Sequence, residues 1–351
     1  MADPAANTTI ELLKVTFGKR TAGRWNIASM DSISIKPRQP TDIGFYEIAD
    51  DVVTAQPSNF GPTTFHLGQS IVPIVAHVQG ESVLRCIGTG FFISCSGLLI
   101  TAAHVVSDPI ERQYGGVTET TDLTWLARDL KLGVMIALNP FFHGKKYVFR
   151  EIEWASFLAK KAEGPLPIAG MSLRITSDTA ICKVTPLAPD VPFQPLTIVQ
   201  AGLIGTGMSV GRAATAIGYG AMRDIELQMA RENAIEGDFP FEMHVSTGEI
   251  LERFPDNLTT RQVPTPGACF SASLRLPGGM SGSPIFDHEG VYVHGVVSRG
   301  WIDEGGVSPL GYGSMLAQSM HIPIRPLANR TLLQLHADDE HGFTKLSGPG
   351  M

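Results

Sequence analysis

Charged residues are scarce in this chain. Asp, Glu, Lys and Arg make up 17% of its 351 residues, against roughly 25% in an average soluble protein. Together with 43% hydrophobic residues, that scarcity excludes an intrinsically disordered chain. Basic residues are the rarer sign, 27 against 34 acidic, for a net charge of -7. No surplus is left to neutralise a phosphate backbone, so nucleic acid is not an expected partner. Long apolar runs are missing too. The longest, Gly97 to Val106, is broken by Thr101 and His104. It falls short of the roughly 18 residues of a membrane span, so no membrane partner is expected. The start, Met1 to Thr9, is polar, carries Asp3 and lacks the basic and apolar regions of a secretory signal. A cytoplasmic location is the expectation. The only cysteines, Cys86, Cys95, Cys182 and Cys269, are too scattered for a disulfide framework or a CxxC metal site. They read as free thiols, although Cys86 and Cys95 could face each other across a hairpin.

Turn formers are plentiful. The 37 glycines and 24 prolines punctuate many short segments and leave little room for long helices, which predicts an all-β chain. The length corresponds to about two domain equivalents, each large enough to bury its own core. Residues 1–65 show little patterning beyond Ile10 to Phe17 and Asp31 to Ile35, and read as a regulatory extension. Short β runs follow at Ile71 to Val78, Val83 to Ile87, Thr89 to Ser94 and Leu98 to Thr101. The apolar run Val134 to Leu138 and the alternation of Tyr147, Phe149 and Ile152 continue the pattern, whereas Glu151 to Lys161 also admits a helix. The Pro-rich passage Pro186 to Pro195 is the best candidate for a linker between two lobes. Beyond it, strands are expected at Ala213 to Tyr219, Glu242 to Ser246, Gly267 to Leu274, Ser283 to Phe286 and Val291 to Ser298, with a short helix near Met315 to Met320. The expected organisation is an extension to residue 65, a core of 66–330 with lobes at about 66–190 and 200–325, and a frayed tail of 331–351.

Three separated segments carry chemistry. In Leu98-Leu-Ile-Thr-Ala-Ala-His104-Val-Val an apolar strand delivers a histidine into a small-residue turn. In Ile175-Thr-Ser-Asp178-Thr-Ala-Ile an acidic residue heads an apolar strand and is therefore expected to be buried, where a carboxylate needs a partner. In Pro277-Gly-Gly-Met-Ser281-Gly-Ser-Pro a glycine-rich loop exposes a serine hydroxyl and can aim the Gly279 and Ser281 amides into one concavity. Taken singly, each has a plainer reading: a core histidine, a strand-start aspartate, a flexible loop.

Taken together in the order His104, Asp178, Ser281, the segments resemble the trypsin-like serine proteases of the chymotrypsin fold. Thr101-Ala-Ala-His104 is similar to that family's histidine motif, Asp178-Thr-Ala-Ile to its aspartate strand and Gly279-Met-Ser281-Gly-Ser-Pro to its nucleophile loop. A fourth match, Gly295-Val-Val-Ser-Arg-Gly300, is similar to the strand that lines the specificity pocket. The resemblance implies two antiparallel Greek-key β-barrels with the site in the cleft between them. It implies a serine endopeptidase needing neither cofactor nor metal, acting on a protein or peptide substrate. Ser281 would be the nucleophile, His104 the general base and then acid, Asp178 the orienting carboxylate, and the Gly279 and Ser281 amides the oxyanion hole. Ser298 and Gly300 would hold the substrate main chain by strand addition.

Departures from the family are informative. Met280 stands where many secreted members carry an aspartate that pairs with a newly cut amine, so that zymogen switch is not expected. Val105 and Pro277 stand where secreted members place disulfide cysteines. In these respects the chain is similar to the bacterial Htr-like branch and to single-domain intracellular relatives. Arg275 lies where trypsin-type enzymes have an acidic residue, and with Arg299 it suggests substrates bearing carboxylates. A single cognate protein substrate or activator would suit a cytoplasmic enzyme. The alternative expectation is a latent or inactive domain that binds a peptide or partner. The glycines of Gly205 to Gly211 have the wrong spacing for a dinucleotide loop, and His143, His244, His294 and His321 share no metal-ligand spacing.

Overall fold

A computed structural model of the chain describes residues 10–17, 27–35, 67–78, 81–114, 123–124, 130–137, 147–158, 162–165, 172–175, 177–186, 192–196, 198, 208–226, 228–231, 234–236, 243–255, 263–287, 292–301, 310–338 and 341–343. Six strands build the first barrel: β1 (Ile71–Val78), β2 (Val83–Phe92), β3 (Leu98–Thr101), β4 (Leu130–Ala137), β5 (Tyr147–Phe157) and β6 (Ala180–Val184). Six more build the second: β7 (Ala213–Tyr219), β8 (Met243–Phe254), β9 (Cys269–Ala272), β10 (Pro284–Asp287), β11 (Val293–Trp301) and β12 (Leu310–Met315). Among the described residues every pairing between these twelve strands is antiparallel. The first ring closes in the order β1-β2-β3-β6-β5-β4, the second as β7-β8-β9-β12-β11-β10. The same circular order is thus used twice, and the expected all-β double barrel is what the chain forms.

Local chemistry explains where the strands run. Pro73 lacks a ladder donor, yet sits early in β1, opposite Thr89 of β2 and before the pairing with β4 begins at Ile74. The two runs read on either side of Gly88 form one strand, β2, with a bulge opposite Ile74 and Val75. The ambiguous segment after Glu151 is strand through Phe157. β5 pairs with β4 over Tyr147 to Glu151, then swings to pair with β6 over Ile152 to Phe157, which closes the barrel. A helical pattern there yields to a ladder only tertiary structure supplies.

Helices are few. The turn expected at His104 is a helix, α1 (Ala103–Tyr114), despite Pro109 within it. The helix expected near Met315 is the single turn α2 (Leu316–Ser319). Among the described residues no helix is long and apolar enough to cross a membrane. The stretch read as a linker packs in part along the first barrel: Phe193 stacks on Phe92 at 4.4 Å, and its amide donates to the Cys95 carbonyl at 3.0 Å. The N-terminal segments Ile10–Phe17 and Ile27–Ile35 pair as an antiparallel hairpin, the second longer than the Asp31 to Ile35 expected.

The tail corrects the expectation of fraying as far as residue 343. α3 (Leu332–Asp338) buries Leu332 and Leu335 completely in the core that holds the first-barrel residues. Farther on, Phe343 bridges to Ser94, and the Gly342 and His341 carbonyls accept from the Cys95 and Ser96 amides at 2.9 and 3.2 Å. Residues 344–351, with the Ser-Gly-Pro-Gly end, lie outside the described residues. A docked tail and a frayed one differ in energy. Leu335→Ala is expected to lower the unfolding free energy by about 2–5 kcal/mol in guanidinium titration, whereas a frayed helix would give no change.

Candidate active site

The loops on the facing sides of the two barrels bring the three segments together. His104 is the second residue of α1, just after β3, and Asp178 lies two residues before β6. Ser281 precedes β10, and Ser298 sits on β11. Histidine and aspartate thus come from the first barrel, the two serines from the second.

Asp178 is 4% exposed and accepts three hydrogen bonds. Its Oδ2 takes the His104 Nδ1 proton at 2.8 Å and the Ser298 hydroxyl at 2.5 Å. Its Oδ1 takes the His104 backbone amide at 3.0 Å. That amide is one of the donors a helix leaves without an internal partner at its start, so the carboxylate caps α1 from a distant strand. Burial works against the charge on Asp178, but His104 and these donors outweigh it and hold the carboxyl below its ordinary range. Burial likewise opposes protonation of His104. The Asp178 carboxylate and its hydrogen bond overcome that, aided by Asp108 and countered by Arg299, and the imidazole is held above its ordinary value.

Hydroxyls brace the aspartate on both sides. Ser177, Thr179 and Ser319 of α2 bond to one another at 2.8 to 3.0 Å, all fully or almost fully buried. Thr265 donates to the Ser298 hydroxyl at 3.2 Å. The Ser298 side chain is therefore committed to the aspartate, and the residue is fully buried. A serine in the apolar run of β11 is a signal that could have suggested this; Thr265 lies outside any strand and carries none.

The nucleophile loop is shaped by two glycines. Gly279 has φ 96° and Gly282 φ 88°, a region closed to most side chains. A Cβ on Gly282 would also lie 2.0 Å from the Thr89 carbonyl oxygen. Met280, between Gly279 and Ser281, is fully buried in the second core with Leu276, Ile285 and Val297. A trans peptide sets its C=O and N–H on opposite sides. The Ala221 amide holds the Gly278 carbonyl at 2.7 Å, and the Ser283 amide holds that of Met280 at 3.0 Å. The Gly279 and Ser281 N–H groups point the other way, and among the described residues neither has a partner. The Ser281 hydroxyl itself donates to the Ser298 carbonyl at 3.1 Å rather than to His104.

The pairing of β11 with β10 ends at Val296, while that with β12 runs on to Trp301. Ser298, Arg299 and Gly300 thus carry one edge without a described neighbour strand, and Arg299 and Gly300 are exposed. Arg275 is exposed as well, its amide donating to Ser246 Oγ at 2.7 Å. The residues on either side of Arg275, Leu274 and Leu276, turn inward. A Cβ on Gly300 would meet the Leu276 carbonyl oxygen at 2.4 Å, and one on Gly311 would meet Leu276 Cδ1 at 2.5 Å. Burial, with Asp224 beside it, pushes the Cys86 thiol up to about 12, and burial raises Cys95 and Cys182, which disfavours the nucleophilic thiolate at these three. All four cysteines are free, so Cys86 and Cys95 do not pair.

A family model described as a trypsin-like peptidase domain matches residues 88–296, more than half of the chain. The chain belongs to that family. The matched span of this trypsin-like peptidase domain holds His104, Asp178 and Ser281 and stops within β11. A search of curated proteins finds no match. Among solved structures, one titled as Deg5 shares 17% identity over 69% of this chain and 83% of its own, with a TM-score of 0.39. The Rv3671c protease from M. tuberculosis in its active form shares 18% identity over 80% and 84%, with a TM-score of 0.40.

The His104 and Asp178 shifts set opposite limits of pH. The aspartate's contribution to stability is present above its ordinary pKa of about 3.9 and is lost as pH falls through its lower folded value. The histidine's is present below about 6.5 and is lost as pH rises through its higher folded value. NMR titration of the His104 ring is expected to give a midpoint above about 6.5. In Asp178→Asn, burial and Arg299 are opposed only by Asp108, and the midpoint is expected to fall below that of the unmodified chain. An unchanged midpoint would mean that the carboxylate does not carry its charge beside the ring.

Proposed function

We propose that the chain is a serine endopeptidase working through Ser281, His104 and Asp178. The observation that carries this reading is one site holding a buried, ionised Asp178 on His104 Nδ1 and Ser281 on a loop with two amides that have no partner among the described residues. With Nδ1 committed to the carboxylate, Nε2 is the ring nitrogen left to accept a proton. In the proposed reaction the Ser281 hydroxyl leaves the Ser298 carbonyl, gives its proton to Nε2 and attacks the peptide carbonyl. The oxygen that becomes negative is received by the Gly279 and Ser281 amides. His104 then protonates the departing amine, leaving an acyl ester on Ser281. It next takes a proton from the water that hydrolyses the ester, and returns it to Ser281. The substrate main chain lies along the free edge at Ser298 to Gly300. A cytoplasmic location belongs to the same proposal, on the residues that stand where secreted members have disulfides.

A second reading, a latent domain that binds a peptide or partner, draws on the Ser281 hydroxyl facing Ser298 instead of His104. A fluorophosphonate probe separates the two. Under the first reading the purified chain acquires one adduct, on Ser281 by mass spectrometry, and His104→Ala abolishes it. A folded chain that stays unlabelled favours the latent domain. With a peptide substrate, Ser281→Ala is expected to cost roughly a millionfold in kcat, and kcat/KM is expected to rise through a midpoint above about 6.5. Arg299 is exposed beside this site. In a peptide library, Asp or Glu near the scissile bond is therefore expected to be cleaved faster than Lys or Arg, and Arg299→Ala to erase that preference.

A further inference from the structure

The nucleophile loop belongs to the second barrel, yet it is held by a residue of the first. Thr89 lies on β2 and is fully buried. Its hydroxyl donates to the Gly279 carbonyl at 2.9 Å, lies 3.3 Å from the Tyr219 carbonyl, and accepts from the Tyr219 amide at 2.9 Å. Its own amide donates to the Ser281 carbonyl at 2.8 Å, and its carbonyl accepts from the Thr101 hydroxyl at 2.7 Å. Thr101 is three residues before His104. A single buried threonine thus touches the loop on both sides of Met280 and the strand that delivers the histidine.

We propose that Thr89 is a positioning residue for the oxyanion loop. The inference rests on the function proposed above, because it assigns the Gly279 amide a task in that chemistry. The physical argument concerns two adjacent peptide planes. Ala221 fixes the plane between Gly278 and Gly279 through its carbonyl. Two bonds hold the next plane, between Gly279 and Met280: the Thr89 hydroxyl donates to the Gly279 carbonyl at 2.9 Å, and the Met280 amide donates to the Pro277 carbonyl at 3.2 Å. Gly279 joins the two planes at φ 96° and, having no Cβ, offers little resistance of its own to rotation. With the hydroxyl gone the second plane keeps only its longer tie and can turn against the first, so the Gly279 N–H, in the first plane, loses its set direction relative to the Ser281 N–H. The loop has no aspartate at position 280 to hold it by an ion pair; among the described residues its anchors are the buried Met280 side chain and the hydrogen bonds that involve Thr89, Ala221, Pro277, Ser283 and Val297. The backbone half of the Thr89 contact survives any substitution. The hydroxyl half does not, and it is the half that touches Gly279.

The test compares Thr89→Val, which keeps the shape and removes the hydroxyl, with Thr89→Ser, which keeps the hydroxyl and removes the methyl. In the full chain, Thr89→Val is expected to lower kcat and the rate of fluorophosphonate labelling by about 10–100-fold, with KM within about twofold. Thr89→Ser is expected to restore most of that loss. Equal losses in both variants, or a fall in thermal stability with kcat intact, would assign Thr89 a packing role and overturn the proposal. If the valine variant does not fold, Thr89→Cys, whose thiol is a weak donor, replaces it with the same expectation. A crystal structure of the folded variant reads the loop without reference to activity: the Gly279 carbonyl turns from β2 if the proposal holds and keeps its direction if it fails. A wild-type chain that stays unlabelled would count against the proposed enzyme, and the crystal structure would still decide the role of Thr89.

Discussion

One buried carboxylate sets the relation of the two barrels. An ionised aspartate taken out of water costs several kcal/mol unless donors replace its hydration. Asp178 recovers that from His104, through ring and amide, and from the Ser298 hydroxyl. Two donors belong to the helix that opens after β3, and the third belongs to β11 in the other barrel. Removing any one leaves part of a charge unsatisfied in an apolar surround, so the position of β11 against α1 is set by an electrostatic demand as well as by packing. The ring of Ser177, Thr179 and Ser319 extends the same principle to α2, because it holds both neighbours of the aspartate against the second barrel.

The barrels repeat one circular strand order but, under the proposed function, divide the chemistry between them. The first would supply the side chains whose protonation states matter. The second would supply the serine hydroxyls and backbone: the two amides of the nucleophile loop, and the edge from Ser298 to Gly300 that no described strand covers. This division suits what each material does well. An imidazole needs a defined charge state, which burial beside a carboxylate provides. An anion receptor needs rigid dipoles, and a loop whose carbonyls are tied down provides those without a charge of its own.

How much of this was legible in the sequence depends on how local the cause was. His104, Asp178 and Ser281 could be read because each sits in a short segment whose pattern, apolar strand or glycine loop, already states its setting. Most strands were legible for the same reason, as with Ile71–Val78, Leu98–Thr101 and Ala213–Tyr219, whose bounds match. The second half of β5 was not, because its identity as strand comes from β6, more than twenty residues on. α1 was hidden by Pro109 and by the small residues before His104. The hydroxyls of Thr89, Thr265 and Ser298 gave little away, since a buried hydroxyl is defined by partners that the chain brings from elsewhere. In the stretch before the nucleophile the charged residue drew attention, yet Arg275 is at the surface and the apolar Leu276 turns in.

The bridge between Ser94 and Phe343 spans 249 residues, 343 minus 94. Contacts of such separation form late, because the chain between them must first be ordered. On a ribosome the delay becomes absolute. The turn after β2 waits for a partner made 249 residues later, and Asp178 waits for Ser298 to be made before its third donor exists. The site therefore comes together only after Ser298 has emerged, and synthesis itself keeps the buried pair of Asp178 and His104 incomplete until then.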